Sequence, residues 1–165
     1  MQNQKIIIRK AKIKDIPDIL ILWKEFMNEH NKLIVHPHEK ESSKFLPNAT
    51  QLYKNFLRIN ILSRNNVIFV VKDSSRIKGF IIAQIRKNIV LFKIKKLCVI
   101  TDLYLDKGTR GNKYSTKLFQ QVVEWAKHKK IKYLSLNVLP QNKFARKVYA
   151  KWGFFENRIE MRKKI

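Results

Sequence analysis

Hydrophobic and polar positions switch between two periods along this chain, and the switches mark its elements. A short period-two run, "KIIIRKA" (5–11), reads as a strand. The next stretch, "DIPDILILWKEFMNEHNKL", has helical spacing, with Ile16, Ile19, Leu20, Trp23 and Met27 forming a stripe for burial. Asp15 is its N-cap, and Pro17 falls in the first turn, where a missing N–H costs nothing. A second stripe, Asp15, Asp18, Leu22, Glu25 and Glu29, is mostly acidic. "NKLIVHPHEKESSKFLPN" follows neither period and reads as a connection. "ATQLYKNFLRINILSR" is a second helix with Leu52, Phe56, Ile59 and Leu62 on one side.

Three β-rich runs come next. "NVIFVVKD" and "RIKGFIIAQIRKN" are joined by the turn "DSSR" and predict a hairpin, and "KLCVITDLYL" is a third long strand. After a loop, Leu118, Phe119, Val122, Val123 and Ala126 repeat at helical spacing. "KYLSLNVLP" predicts a strand, "NKFARKVYAKWG" a helix closed by Gly153, and "RIEMRKK" a last strand. A strand, helix and strand in succession imply a parallel pair with a crossover helix, whereas the hairpin is antiparallel. The expected fold class is therefore α+β, a mixed and mostly antiparallel central sheet flanked by about four helices, in one domain spanning 1–165.

Composition changes this picture in one respect only. The chain has 165 residues, enough to bury roughly 70% of its unfolded surface. It carries no linker-like composition break and no apolar run near the roughly 18 residues a membrane span needs, and its start lacks the apolar core of a signal peptide. No membrane partner is expected. A lone Cys98 in an apolar strand excludes an internal disulfide and suits a reducing, cytoplasmic compartment as a buried hydrophobe. The net charge of +24 is the outlier. Such a field draws in polyanions, whether phosphorylated small molecules, anionic lipid or nucleic acid. Because the basic residues are spread along the whole chain, the charge reads as a background that helps anionic ligands arrive; a dedicated nucleic-acid surface is the alternative.

The loop between the third long strand and its helix, "LDKGTRGNKYSTKLF" (105–119), places several backbone N–H groups at a helix N-terminus, the arrangement that holds phosphate. With it come "TDLYL" (101–105), "RGNKYS" (110–115), and then Asn142, Ala145, Tyr149, Gly153 and Phe154. This series resembles the GNAT superfamily of N-acetyltransferases. That family has a strand with a pattern like E-D-L-x-V, a loop Arg/Gln-x-x-Gly-x-Gly/Ala opening a helix, and a later Asn-x-x-Ala-x-x-x-Tyr followed by Gly-Phe. The resemblance runs over essentially the whole chain and implies acetyl-CoA as co-substrate, with no metal. It implies that Leu103, Tyr104 and Leu105 line the pantetheine arm. Arg110, Gly111, Asn112, Lys113, Tyr114 and Ser115 would hold the pyrophosphate, and Asn142 and Tyr149 would complete the cofactor site. The chain departs from the family at Lys113 and Ser115, where glycine and then glycine or alanine are usual. Amide donors survive such a change; room and dihedral freedom do not.

Acetyl transfer to an amine needs a neutral amine, a stabilised oxyanion and a proton for the thiolate. The resemblance implies Tyr149 as the proton donor and the backbone N–H of Leu103, where this strand typically bulges, as the oxyanion donor. The position where relatives often carry a glutamate base is Thr101. Asp102 is the remaining carboxylate, placed by strict alternation on the face opposite Thr101, either as an acceptor-binding group or as a structural hydrogen-bonder. His36-Pro37-His38-Glu39 matches no familiar metal-ligand spacing. Six of the twelve acids, Asp15, Asp18, Glu25, Glu29, Glu39 and Glu41, fall between 15 and 41. In the family this region walls the acceptor site. The expected partner is therefore a primary amine, on a small cationic metabolite or a protein, bound by Glu25, Glu29 and Asp102. The alternatives are a non-catalytic acyl-CoA binder of this fold and a basic nucleic-acid-binding protein.

Overall fold

The structure, a computed structural model, describes residues 6–165. Its sheet has five strands in chain order: β1 (Ile7–Lys10), β2 (Asn66–Lys72), β3 (Ile77–Lys87), β4 (Lys96–Leu105) and β5 (Leu134–Leu136). The first three pairings are antiparallel and the last, β4 with β5, is parallel. The mixed sheet with its crossover is thus as expected, and β4 has the limits the pattern gave it. The predicted first strand begins at Lys5, which lies outside the described residues.

Among the described residues there are five helices, α1 (Ile16–Leu33), α2 (Pro37–Ser42), α3 (Ala49–Leu62), α4 (Tyr114–His128) and α5 (Lys143–Lys151), of which α1, α3 and α4 cover the sheet. On one face Ile19, Leu22 and Trp23 of α1 and Leu57 of α3 pack on Ile68, Val70, Phe80 and Ile82. On the other, Leu118, Val122 and Trp125 of α4 pack on Val67, Phe69, Ile81 and Ile100. Because β2 is buried on both faces, its sequence is a continuous apolar run rather than an alternating one.

Four expectations are corrected. Leu22, left off the stripe expected to be buried and grouped with the acidic one, is 3% exposed and sits in the core. The inner face of α3 is Tyr53, Phe56, Leu57 and Asn60, and three residues assigned to it, Leu52, Ile59 and Leu62, are exposed. Asn60 is held there by Phe56 C=O and by the Gln84 amide, so a polar residue anchors the turn that the pattern gave to leucine. The connection after α1 contains the short helix α2, started by Pro37 at its first position. Finally, "RIEMRKK" forms no strand: Ile159 and Met161 lie exposed, and the open edge at β5 offers only a three-residue partner. Asp15 does precede α1, but its carboxylate is taken by the Arg9 guanidinium at 2.7 and 2.9 Å and by Lys12 N–H.

Candidate active site

β4 is built irregularly at the point where chemistry is expected. Its register on β3 pairs Ile82 with Asp102 but Ala83 with Ile100, so Thr101 is the extra residue of a β-bulge. Ile100 and Leu103 both join the α4-side core, while Asp102 meets Tyr53 of α3. The bulge therefore turns Thr101 and Asp102 to one face, that of α1 and α3, and corrects the strict alternation read from the sequence.

Asp106 N–H donates to Lys78 C=O at 2.8 Å, which makes that pair a hydrogen-bonded one. Counting back along an antiparallel ladder, the main-chain groups of Tyr104 and Asp102 face β3. Those of Leu103 and Leu105 face the other edge. That edge is covered by β5 only over Cys98–Ile100, so beyond the bulge β4 has an unpaired rim. Its Leu105 C=O is met by Arg110 Nε at 3.0 Å.

Below this rim Asp102 is half-buried. Burial pushes its carboxyl above the usual range, opposed by the Thr101 and Tyr53 hydroxyls and by the charge of His30. Those two hydroxyls are sealed from solvent and make no well-formed hydrogen bond, whereas the half-buried Asp102 carboxyl beside them keeps some contact with solvent. Burial and the Asp102 charge push the Tyr53 phenol up as well. Tyr53 stacks on Trp23 at 4.3 Å, with Phe45 5.6 Å from Trp23. Outside them lies an apolar groove of about 370 Å³, walled also by Leu46, Leu52 and Phe56. No spacing in the sequence marked Tyr53 or His30 as neighbours of Asp102, since three separate elements bring them together.

Two residues along β4, the Tyr104 hydroxyl donates to Glu29 at 3.0 Å and approaches Glu25 at 3.4 Å. Glu29 also receives two hydrogen bonds from Arg110, whose guanidinium lies 5.2 Å from the Tyr104 ring centre. Burial works against ionisation of Glu29, yet Arg110 and Tyr104 hold it below the usual carboxylate range. Glu25, Glu29 and Asp102 therefore share one face, with Arg110 as counter-charge. Three other acids of the 15–41 segment are spent elsewhere: Asp15 on Arg9, Asp18 on Ile77 N–H, and Glu41 on Lys164.

After β4, Asp106 accepts from Gly108 N–H and Arg76, fixing a 3-10 turn over Lys107–Thr109. Gly111 (φ 85°) and Lys113 (φ 59°) then take left-handed conformations that lead into α4. The N–H groups of Gly111 to Thr116 have no protein acceptor among the described residues. They form a row of donors at the positive end of a helix dipole. Lys113 is the N-cap, by backbone only, and Ser115 lies inside the first turn.

Asn142 caps α5 by accepting from Ala145 N–H at 3.1 Å. At the other end, Phe154 N–H bonds Tyr149 C=O, Gly153 (φ 87°) makes the turn, and Phe154 packs on the α4-side core beside Phe119. Tyr149 lies against Trp152 and Phe154, and burial pushes its phenol up, so it is fully protonated near neutrality. Cys98 is buried, its thiol pushed up to about 11, and it carries no nucleophile.

The profile of the acetyltransferase (GNAT) family matches residues 23–154, and the chain belongs to that family. Solved structures share the fold along nearly the whole chain. The tetramutant of the BH1408 protein from Bacillus halodurans superposes with a TM-score of 0.79 at 20% identity, covering 96% of this chain and 99% of that one. Aminoglycoside N-acetyltransferase AAC(6')-Iy, in complex with CoA, gives 0.77 at 16%, covering 99% and 97%. A "predicted acetyltransferase" with acetyl-CoA from Clostridium acetobutylicum gives 0.77 at 18%, covering 97% and 96%. At these identities the likeness is one of fold. No curated protein matches the sequence significantly.

Proposed function

We propose that the protein transfers the acetyl group of acetyl-CoA to a primary amine by direct attack in a ternary complex. The observation that carries this reading is the junction of three features at one place. The unpaired rim of β4 at Leu103–Leu105 leads into the row of free N–H groups at Gly111–Thr116, and the half-buried carboxyl of Asp102 lies beside it.

The cradle suits a pyrophosphate: six consecutive N–H groups, a helix N-terminus and the cation of Lys113 converge on one loop. The rim suits an amide-bearing arm, which can add to a sheet edge as a strand would. Bound there, acetyl-CoA supplies the thioester that an amine attacks. Leu103 N–H, directed at the open edge, donates to a carbonyl oxygen that gains charge. Asp102, whose raised pKa brings it closer to neutrality, accepts the amine proton directly or through water. Tyr149 holds a proton at its hydroxyl for the leaving sulfur. With Cys98 buried and protonated, no side chain here favours a covalent acetyl-enzyme, which supports direct transfer.

The acceptor's amine is assigned to the face of Glu25, Glu29 and Asp102, where a chain of net charge +24 offers a cation local negative charge. Thiol release with a panel of amines tests the whole reading. Acetyl-CoA at 100 times its dissociation constant is expected to stabilise the fold by about 2.7 kcal/mol in a melting assay, and less at high salt. No shift at millimolar acetyl-CoA together with no thiol release from any amine would remove the proposal. Glu25→Gln is expected to raise the acceptor KM several-fold with the KM for acetyl-CoA unchanged. An unaltered KM for every acceptor would return Glu25 to the solvated surface.

Lys113→Gly examines the loop. Left-handed lysine is strained by about 1–2 kcal/mol, part of which glycine returns to the flexibility of the unfolded chain. The variant is expected to melt at or slightly above the wild-type temperature. It should bind acetyl-CoA several-fold more weakly, because the donors remain and the cation is lost. A tenfold tighter complex by calorimetry would mean instead that the lysine obstructs the phosphate.

A further inference from the structure

The end of the sheet remote from Asp102 carries a feature that acetyl transfer does not use. Between β3 and β4 the chain exposes four consecutive apolar residues, Ile89 at 48%, Val90 at 79%, Leu91 at 87% and Phe92 at 47%. The turn is ordered: Phe92 N–H bonds Ile89 C=O, Asn88 N–H bonds Lys95 C=O, and the Asn88 amide bonds Ile94 C=O. An ordered apolar tip in water is a standing cost, and such patches mark interaction sites.

Basic residues surround it. Arg86, Lys87, Lys93, Lys95 and Lys96 flank the tip, and no Asp or Glu occurs from 74 to 101. Lys87 and Lys96 stand directly opposite in the ladder, a like-charge pairing that a sheet otherwise avoids. Arg64 precedes β2 at the same end, and Lys129, Lys130 and Lys132 follow α4, whose single acid, Glu124, is paired with Lys127. Tyr133, half exposed, joins β4 here through its C=O to Cys98 N–H.

We propose that this end docks on an anionic bilayer surface, with Val90 and Leu91 entering the headgroup region and the surrounding lysines and arginines meeting lipid phosphates. Apolar side chains inside a basic ring are what such an interface accommodates, and anionic lipid adds an attraction for each cation. A nucleic acid would engage the cations but leave the tip in water. A second copy would bring two like-charged ends together on chains of net charge +24. The sequence expectation of no membrane partner rested on the lack of a span. Among the described residues no helix is long and apolar enough to cross a membrane, but peripheral docking needs none. Along ten residues of β4 the tip is about 30 Å from Leu105, so docking leaves the candidate active site clear.

The test is flotation of the full chain with phosphatidylcholine vesicles and with vesicles containing one-third phosphatidylglycerol, paired with fluorescence of the variant L91W. Binding to the anionic vesicles alone is expected, weakened by salt. The L91W emission should shift to the blue on those vesicles, and the double variant V90S/L91S should bind about tenfold more weakly while melting like the wild type. Vesicle binding that V90S/L91S leaves unchanged would overturn the proposal, as would an unshifted L91W emission or a lack of vesicle binding. So would tighter binding to duplex DNA at the same salt, or a wild-type dimer that V90S/L91S converts to monomer.

Discussion

Replacing Tyr149 by phenylalanine is expected to lower turnover about 100-fold or more, while acetyl-CoA affinity and melting temperature stay close to wild type. The reason lies in the division of the side chain. Its ring packs on Trp152 and Phe154, contacts that phenylalanine keeps, and those rings tie the end of α5 to the α4-side core. Its hydroxyl makes no hydrogen bond to the protein among the described residues, and burial keeps it protonated through neutral pH. Removing it therefore takes away a proton donor and almost nothing structural. Steady-state kinetics with calorimetry of acetyl-CoA binding checks this, and equal turnover would assign Tyr149 to packing alone.

Asp102→Asn is expected to lower turnover by at least a similar factor and, in the opposite direction, to raise the melting temperature at neutral pH. Burial holds the Asp102 carboxyl above the roughly 3.9 of an unfolded chain. A carboxyl raised on folding contributes stability that is fully present below its unfolded pKa and is lost as the pH climbs through its folded pKa. Above that point the native state holds a half-buried charge whose desolvation outweighs the help of the Thr101 and Tyr53 hydroxyls beside it. The stabilising effect of asparagine should therefore shrink as the pH falls below the carboxylate range. Wild-type turnover should rise with pH through the same raised pKa as the base ionises. A variant of normal activity and lower stability would make Asp102 a structural hydrogen-bonder, with water left to take the amine proton.

Local pattern carried much of the architecture. β4 begins and ends where the run "KLCVITDLYL" does, and the strand–helix–strand order implied the parallel pair that β4 and β5 form. The motif residues around 101–115 and 142–154 were legible because each answers to a local need. Gly153 makes a turn at positive φ, and Asn142 caps a helix within three residues of itself. Misreadings arose where two faces of one helix were both apolar. On α3, Leu52, Ile59 and Leu62 compete with Tyr53, Phe56 and Leu57, and nothing in a 3.6-residue period says which set meets the sheet.

The sequence by itself determined the order of elements, the loop whose N–H groups open α4, and membership in the acetyltransferase family, because these depend on short-range dihedral preferences and fixed spacing. Only the tertiary structure decided what surrounds the Asp102 carboxyl. One extra residue at Thr101 turns Asp102 toward α1 and α3, and the packing of α3 then seats Tyr53 against it. Arg110 is drawn onto Glu29, a residue far away in the chain, and the last predicted strand is left without a partner. Register, burial and charge pairing are set by contacts between elements distant in sequence, and a one-residue bulge that shifts every later side chain leaves no trace in the hydrophobic pattern.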